Sequence, residues 1–230
     1  HSKTIIKFDF SKFYDHVRFD YILDDLQNLD PRLSDKQVQE SVKRCIIDEK
    51  TKGVTQGLPV SGALAGLALI PFWQKLQELL PDAIQFTQYS DDLTFSLVDN
   101  QTSTHFNKKD LTQYIKDAMK KSNRRFKLNA KKTSTQSGHF RKITGVRINE
   151  NNQRTLSRKD YRWLRGFLHN LTILDNLDDT LQYYELESKM VLNGKINYWL
   201  YIDETKKVQN LLLSYKNICK NYSIAPSLFK

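Results

Sequence analysis

Two adjacent aspartates, Asp91 and Asp92, interrupt a stretch that otherwise has the pattern of buried β-structure. The flanking segments AIQFTQY and LTFSLV alternate apolar and polar residues, which predicts a hairpin with Ser90, Asp91 and Asp92 at its tip. A third carboxylate, Asp9, comes near the end of another alternating strand pattern, at residues 4–10. Like charges held close together need a compensating cation, and Mg²⁺ binds carboxylate oxygens. The three aspartates therefore predict a metal site at strand ends, of the kind in which two ions support phosphoryl transfer.

An isolated pair of aspartates is more often a solvated turn than a metal site. The chain contains two other such pairs, Asp24-Asp25 and Asp178-Asp179, which we interpret as helix-surface and helix-start residues. The segments that accompany the hairpin pair must therefore decide between the two interpretations.

The elements around the aspartates can be predicted from hydrophobic spacing. A helix is expected over residues 16–29, ended by Pro31, and a second over SDKQVQESVKRCII with Ser34 as its N-cap. The loop DEKTKGVTQGLPVSG leads into a strongly apolar helix, which Pro71 is expected to kink. An amphipathic helix, DLTQYIKDAMKKSNRRF, and short strands and turns follow the hairpin. After Asn149 the sequence predicts helices only, so we expect a domain boundary near residue 150.

The composition agrees with a globular protein that has a polyanionic partner. The 230 residues are 39% hydrophobic and 27% charged, and 36 basic against 26 acidic residues give a net charge of +10. Such an excess favours nucleic acid as a partner, although a lysine-rich genome would give the same surface without one.

The longest apolar run, Ala63 to Trp73, is too short to span a bilayer, and no signal peptide is visible. Two distant cysteines, Cys45 and Cys219, fit a reducing compartment, so a cytoplasmic location is expected.

Several segments resemble, in the same order, the motifs of reverse transcriptases, and especially those of bacterial retron-type enzymes. QYSDDLTFS resembles their Tyr-x-Asp-Asp motif, KFDFSKFYDHV the first catalytic motif, and TQGLPVSGALAGLAL the Gln-Gly-x-Pro-x-Ser loop and helix. FKLNAKKT resembles the lysine-ended motif that follows, RKITGVRIN the primer-grip hairpin, and VLNGKINYWL a stretch of the thumb. The resemblance implies an α+β fold: a polymerase palm with an antiparallel sheet packed on helices at residues 1–149, and an all-helical thumb at residues 150–230.

The resemblance also implies roles for the acidic residues and their neighbours. Asp9 and Asp91 would be the principal ligands of two Mg²⁺ ions, Asp92 would act less directly, and the Phe10 carbonyl would complete a metal shell. Tyr14 would be the steric gate that excludes a 2′-OH and so selects deoxynucleotides; the alternative is a core tyrosine at a helix start.

Further residues are implied in substrate binding and in leaving-group chemistry. The substrate-binding set also includes Gln56, Gly57, Pro59, Ser61 and Tyr89. The loop residues of this set would equally suit an ordinary loop that leads into a helix. Lys132 is the candidate for the lysine that stabilises or protonates the leaving pyrophosphate, with Lys131 as an equal rival and a solvated lysine as the alternative.

A basic stripe is predicted on the first thumb helix, SRKDYRWLRGFLHNL. Its basic residues recur at helical spacing and form a stripe separate from the apolar residues of the same helix. They are Arg158, Arg162, Arg165 and His169. Such a helix can dock on a domain by one face and follow a phosphate backbone with the other, although charged solvated faces are common.

The predicted function is RNA-directed DNA synthesis by two-Mg²⁺ nucleotidyl transfer, in bacterial phage defence or a retroelement. Its partners would be an RNA template, a DNA or RNA primer and dNTPs, with a fingers region or another chain completing the site, and with oligomers possible in principle. Gly62 stands where many reverse transcriptases have Pro, which resembles the abortive-infection branch, and no Asn-Ala-x-x-His motif of retron enzymes is present. Template-independent, protein-primed DNA synthesis and a non-catalytic nucleic-acid-binding module are the alternatives.

Overall fold

A computed structural model describes residues 4–97, 106–138, 141–174, 176–203, 205–211 and 213 of the chain. Residues 214–230, the last part of the predicted thumb, lie outside the described residues, as do the first two residues of the segment HFRKITGVRIN. The chain divides into two compact units, His1–Ser137 and Gly138–Lys230, and we describe each by itself.

The first unit combines strands with packed helices. Its described strands are β1 (Thr4–Ser11), β2 (Ile84–Tyr89), β3 (Asp92–Leu97), β4 (Lys127–Leu128) and β5 (Ser134–Ser137). Its α-helices are α1 (Leu23–Leu29), α2 (Lys36–Ile46), α3 (Ser61–Leu79) and α4 (Lys108–Lys121), and single turns of 3₁₀-helix cover Tyr14–His16, Phe19–Tyr21 and Pro31–Ser34.

Strand β1 is the centre of the sheet. It pairs antiparallel with β3 on one side, and with β4 and β5 on the other, and β2 pairs with the far edge of β3. Alternate side chains of β1, those of Ile6, Phe8 and Phe10, lie in the hydrophobic core that the helices complete. By the same alternation Lys7 and Asp9 lie on the opposite face, so the strand presents its polar residues away from that core.

The helices follow the predicted order with local differences. The helix predicted at residues 16–29 is shorter: two 3₁₀ turns precede α1, which begins only at Leu23. The N-cap of α2 is Asp35 rather than Ser34, because the Asp35 carboxylate accepts hydrogen bonds from the Gln37 and Val38 amides. Helix α3 is one continuous element that contains Pro71.

The second unit begins with a small sheet and continues with helices. Its elements are β6 (Arg141–Ile143), β7 (Val146–Ile148), β8 (Arg154–Thr155), α5 (Arg158–Leu174), α6 (Leu177–Tyr183) and α7 (Lys189–Ile202). Buried leucines and aromatics of the three helices form its core. The structural division at residue 138 therefore assigns the predicted primer-grip hairpin, β6–β7, to the second unit, and one short strand, β8, follows Asn149 where only helices were expected.

The antiparallel sheet packed on helices confirms the predicted α+β class. In the part of the chain that the structure describes, no helix is both long and apolar enough to cross a membrane.

Candidate active site

The hairpin β2–β3 carries the acidic pair, as predicted, but its tip is tighter than expected. Tyr89 pairs with Asp92, so only Ser90 and Asp91 form the turn and Asp92 already belongs to β3. Ser90 adopts a left-handed conformation with φ of 52°, which a two-residue hairpin turn of this kind requires. The Phe10 amide donates to the Asp91 carbonyl over 2.9 Å, which fixes the tip against the end of β1.

Asp9 lies beside this tip. It pairs with Asp92 across β1 and β3, and directly opposed residues of an antiparallel pair share one face of the sheet. Asp9 is only 3% exposed, and its Oδ2 accepts a hydrogen bond from Lys132 Nζ over 2.9 Å. The other carboxylate oxygen, Oδ1, is buried and has no hydrogen-bond partner among the described residues. Asp92 is compensated separately, by Lys7 Nζ at 3.6 Å from its Oδ2.

A cleft of about 500 Å³, which we call the aspartate cleft, opens over these groups. It is lined by six of the residues that the sequence predicted to form the site, namely Asp9, Phe10, Tyr14, Gln56, Asp91 and Lys132, and also by Ser11, Lys12, Phe13, Asp15, Ser90 and Asn129. Residues that are more than a hundred positions apart in the chain therefore meet in one depression. Asp92, Gly57, Pro59, Ser61 and Tyr89 do not line it.

The donor set of the aspartate cleft fits Mg²⁺. Asp9 and Asp91 supply hard carboxylate oxygens, and the unpartnered buried Oδ1 of Asp9 is an acceptor that a cation would satisfy. The described residues contain no preformed group of three or more acidic, histidine or cysteine side chains able to hold a metal. In proteins Mg²⁺ is usually held by one or two carboxylates together with substrate phosphates.

Lys132, rather than its rival Lys131, contacts the acidic residues. The hydrogen bond to Asp9, together with the attraction of that carboxylate and of Asp91 and Asp92, raises the pKa of Lys132 above its ordinary value. The ammonium group is therefore charged at neutral pH. The backbone that carries it is anchored by Asn129, whose amide donates to the Asp9 carbonyl over 2.7 Å and whose carbonyl accepts from the Lys132 amide. Sequence reasoning missed Asn129, although it stands inside the segment FKLNAKKT.

The predicted substrate loop has one residue in the aspartate cleft and a structural role for others. Gln56 reaches the cleft, and Gly57 takes a φ of 93°, which favours glycine. Ser61 is buried, and its hydroxyl donates to the Thr55 carbonyl over 2.5 Å, which closes the loop onto the start of α3. The loop lies close to Tyr14, since a Cβ added to Gly53 would lie 2.3 Å from the Tyr14 carbonyl oxygen.

A second cleft, of about 580 Å³, borders the same hairpin tip from the side of α3. Tyr14, Ser90 and Asp91 line both clefts, and Tyr89 lines this one. Across it, Trp73 Nε1 donates to Gln88 Oε1 over 2.5 Å, and Gln88 Nε2 donates to the Ser90 carbonyl over 2.7 Å. This chain of two hydrogen bonds, the Trp73–Gln88–Ser90 relay, ties the tip that bears Asp91 to helix α3; sequence reasoning did not find it.

In the second unit, α5 has the two faces that its sequence predicts. Leu164, Leu168 and Leu171 are buried. The predicted basic residues are all exposed: Arg158, Arg162, Arg165 and His169. The stripe is therefore accessible to a ligand.

Solved structures with a similar fold include telomerases. Apo telomerase from Candida tropicalis matches with a TM-score of 0.50 and 16% identity, over 96% of this chain and 44% of that one. Telomerase from Candida albicans in complex with a TWJ fragment of telomeric RNA matches with a TM-score of 0.48 and 14% identity, over 96% and 47% of the two chains. The chain thus spans less than half of these structures.

No individual curated protein matches the chain. The profile of the family described as reverse transcriptase (RNA-dependent DNA polymerase) matches residues 1–164, which is well over half of the sequence and includes every residue of the aspartate cleft. The chain therefore belongs to the reverse transcriptase family.

Proposed function

We propose that this chain forms the nucleotidyl-transfer site of an RNA-directed DNA polymerase. In this reaction a primer 3′-OH attacks the α-phosphate of a dNTP, a phosphodiester bond forms, the bond to the β-phosphate breaks and pyrophosphate leaves. The observation that carries the proposal is the convergence of Asp9, Asp91 and Lys132 in one cleft, within the segment that matches the family.

Asp9 and Asp91 would hold the two Mg²⁺ ions, with the Phe10 carbonyl as a further ligand. When bound, the ions would neutralise phosphate charge and activate the attacking hydroxyl. The chain itself fixes the geometry of the ligands: the amide of Phe10 holds Asp91 and the amide of Asn129 holds the carbonyl of Asp9, so both carboxylates are positioned by backbone hydrogen bonds.

Lys132 would serve the leaving group. Its ammonium group lies in the same cleft as the aspartates and is exposed apart from its contact with Asp9, so it can turn towards a phosphate oxygen. There it would stabilise the charge that develops on pyrophosphate, a role that suits an ammonium group whose pKa is raised.

Tyr14 would select the sugar, because its side chain borders both clefts next to Asp91. We expect Tyr14→Ala to raise the incorporation of ribonucleotides relative to deoxynucleotides by at least about tenfold, since removal of the ring admits a 2′-OH. The ratio of kcat/KM for dGTP and GTP measures the effect. An unchanged ratio would leave Tyr14 as a core residue.

The decisive experiment uses the intact protein with Mg²⁺ and dNTPs, with and without an RNA template and primer. Asp91→Asn removes a proposed ligand charge, and Asp24→Asn, at an exposed aspartate of another acidic pair, is the matched control. We expect template-dependent DNA synthesis that is lost with Asp91→Asn and retained with Asp24→Asn.

Other outcomes would select the alternatives. DNA made without a template would assign the protein to the template-independent, protein-primed mode of the abortive-infection branch, to which the pair Ser61-Gly62 points. Sequencing of the products distinguishes the two modes, since an RNA-directed enzyme would copy the supplied RNA and a template-independent enzyme would not. No DNA under any condition, with nucleic-acid binding unchanged by Asp91→Asn, would leave a non-catalytic binding module.

A further inference from the structure

A third cleft of the first unit, of about 860 Å³, has no part in the chemistry described so far. One wall is formed by the turns that follow β1, and the other by the end of α4 and the segment leading into β4. We call it the basic cleft; it is lined by Asp15, His16, Arg18, Asp20, Tyr21, Thr51, Met119, Asn123, Arg124, Arg125, Phe126 and Lys127.

Four arginine or lysine side chains and two carboxylates line this cleft. Two of the four basic side chains, Arg124 and Arg18, form hydrogen bonds to backbone carbonyls of the protein. Arg124 donates to the carbonyls of Ala68 and Tyr21 over 2.8 and 3.2 Å and stacks 4.5 Å over the Tyr21 ring. Arg18 donates to the Thr51 carbonyl over 3.1 Å. These contacts hold the walls together.

The other two cations, Arg125 and Lys127, are exposed and available to a ligand. Arg125 is anchored by its backbone, since its amide donates to the Tyr21 hydroxyl over 3.2 Å. Among the described residues neither of the two side chains forms an ion pair, although Asp15 and Asp20 line the same cleft. Two cations on fixed backbone, without carboxylate partners, are suited to bind an anion.

The basic cleft adjoins the aspartate cleft. Asp15 lines both. Strand β4, which carries Lys127, is hydrogen-bonded to β1, with Lys127 opposite Ser11. Two residues after Lys127, the Asn129 amide donates to the carbonyl of Asp9. An anion held by Arg125 and Lys127 is therefore one short strand away from the aspartates.

We propose that the basic cleft binds oligophosphate, namely the triphosphate of an incoming nucleotide or the pyrophosphate that leaves. The inference rests on the proposed function for its ligand class. The carboxylates of the aspartate cleft repel a polyanion, and an adjoining region of positive potential raises the local concentration of that polyanion.

Binding of inorganic tripolyphosphate tests the proposal without any catalysis. The intact protein would carry Asp91→Asn, and titration calorimetry would be done at low ionic strength without divalent metal. We expect Arg125→Gln/Lys127→Gln to weaken the affinity about tenfold, because two exposed attractive charges are lost. The charge-preserving pair Arg125→Lys/Lys127→Arg should restore it to within about threefold.

The matched control is Lys108→Gln/Lys109→Gln, which removes the same charge from exposed positions of α4 outside the described clefts. Equal weakening by both double variants would reduce the effect to net charge, and no binding by the parent would remove the site; either result overturns the proposal. Loss of affinity for a single-stranded oligonucleotide, with tripolyphosphate binding unchanged, would overturn it in favour of a backbone-binding surface. Because no turnover is measured, these outcomes are independent of whether the protein polymerises DNA.

Discussion

At the scale of single residues, the site depends on how the charge of Asp9 is balanced. One of its oxygens meets the ammonium group of Lys132 and the other is buried without a partner among the described residues. Lys132 therefore occupies one oxygen of the carboxylate and leaves the other as an acceptor that a cation would satisfy. Asp92, in contrast, has its own partner in Lys7 and lies outside the aspartate cleft, which fits a less direct role.

Replacement of Lys132 separates the two candidate lysines. We expect Lys132→Ala to lower kcat about 100-fold, since removal of one positioned group that stabilises developing charge costs roughly 10²–10³-fold, and Lys131→Ala to change it less than about threefold. Single-turnover incorporation of one nucleotide measures both variants. Equal losses would contradict the assignment to Lys132.

The Trp73–Gln88–Ser90 relay predicts a positioning effect on Asp91. Gln88→Leu keeps the size of the side chain but removes both hydrogen bonds, so the hairpin tip loses its tie to α3. We expect kcat to fall about tenfold while KM for the nucleotide changes less than about twofold.

Gln88→Glu serves as the intermediate variant, since it can still accept from Trp73 but cannot donate to the Ser90 carbonyl. Because Trp73 and Gln88 act in one chain, the losses of Trp73→Phe and Gln88→Leu should not add in the double variant. Additive losses in kcat would show that the relay does not act as a unit.

The sequence alone allowed only some residues of the aspartate cleft and the hairpin tip to be predicted. Asp9 and Asp91 could be predicted to share a site because their chemistry is specific and their segments resemble family motifs, whereas Lys132 and Lys131 were equal candidates in the sequence. Asn129 and Gln88 could not be predicted, because Asn129 contributes chiefly through its backbone and Gln88 through a partner fifteen residues earlier in the chain. For the same reason the hydroxyl of Ser61, expected near substrate, could not be assigned to the Thr55 carbonyl in advance.

At the scale of elements, the alternation of β1 explains how a buried carboxylate and a hydrophobic core share one strand. Phe8 and Phe10 pack in the core, while Lys7 and Asp9 lie on the other face. Such periodicity is strong, and it allowed β1 and the β2–β3 hairpin to be predicted.

The ends of helices were harder to predict from the sequence. Asp35 competes with Ser34 as the N-cap of α2. The 3₁₀ turns before α1 are fixed by tertiary contacts such as the hydrogen bond from the Val54 amide to the Val17 carbonyl.

The loop before α3 predicts a stability effect at Gly53. We expect Gly53→Ala to lower the free energy of unfolding by about 2–3 kcal/mol, because the new Cβ would lie 2.3 Å from the Tyr14 carbonyl oxygen and backbone must shift. Gly66→Ala is the matched change, since a Cβ there meets nothing within 4 Å, and the gain in helix propensity should stabilise by up to about 1 kcal/mol. Denaturant unfolding measures both; similar effects at the two positions would argue against close packing at Gly53.

At the scale of the whole molecule, part of the net charge of +10 is concentrated on two surfaces of the protein. The basic cleft lies in the first unit and the basic stripe of α5 in the second. The stripe was predictable from spacing, because its residues recur at helical intervals beside an apolar face. The basic cleft was not, because its walls come from segments about a hundred residues apart.

The stripe of α5 predicts the salt dependence of nucleic-acid binding. We expect Arg158→Gln/Arg162→Gln/Arg165→Gln to reduce the slope of log K against log salt concentration by about 2 to 3, since each phosphate contact contributes roughly 0.9 to it on a duplex. Lys36→Gln/Arg44→Gln/Lys50→Gln removes the same charge from exposed positions of the first unit and should leave the slope nearly unchanged. Fluorescence anisotropy over a salt series measures it. Equal salt-dependence slopes for the two triple variants would show that α5 makes no specific phosphate contacts.

The central position of β1 also has a consequence for synthesis on the ribosome. Asp9 takes its strand partner from Asp92, its backbone hydrogen bond from Asn129 and its ion pair from Lys132. None of these contacts is local in sequence, and pairings of this kind close large loops and form slowly. Strand β1 leaves the ribosome more than a hundred residues before Lys132, so its polar face lacks these partners while the residues between them are synthesised. Until the segment around Lys132 has emerged, the nascent chain is exposed to misfolding.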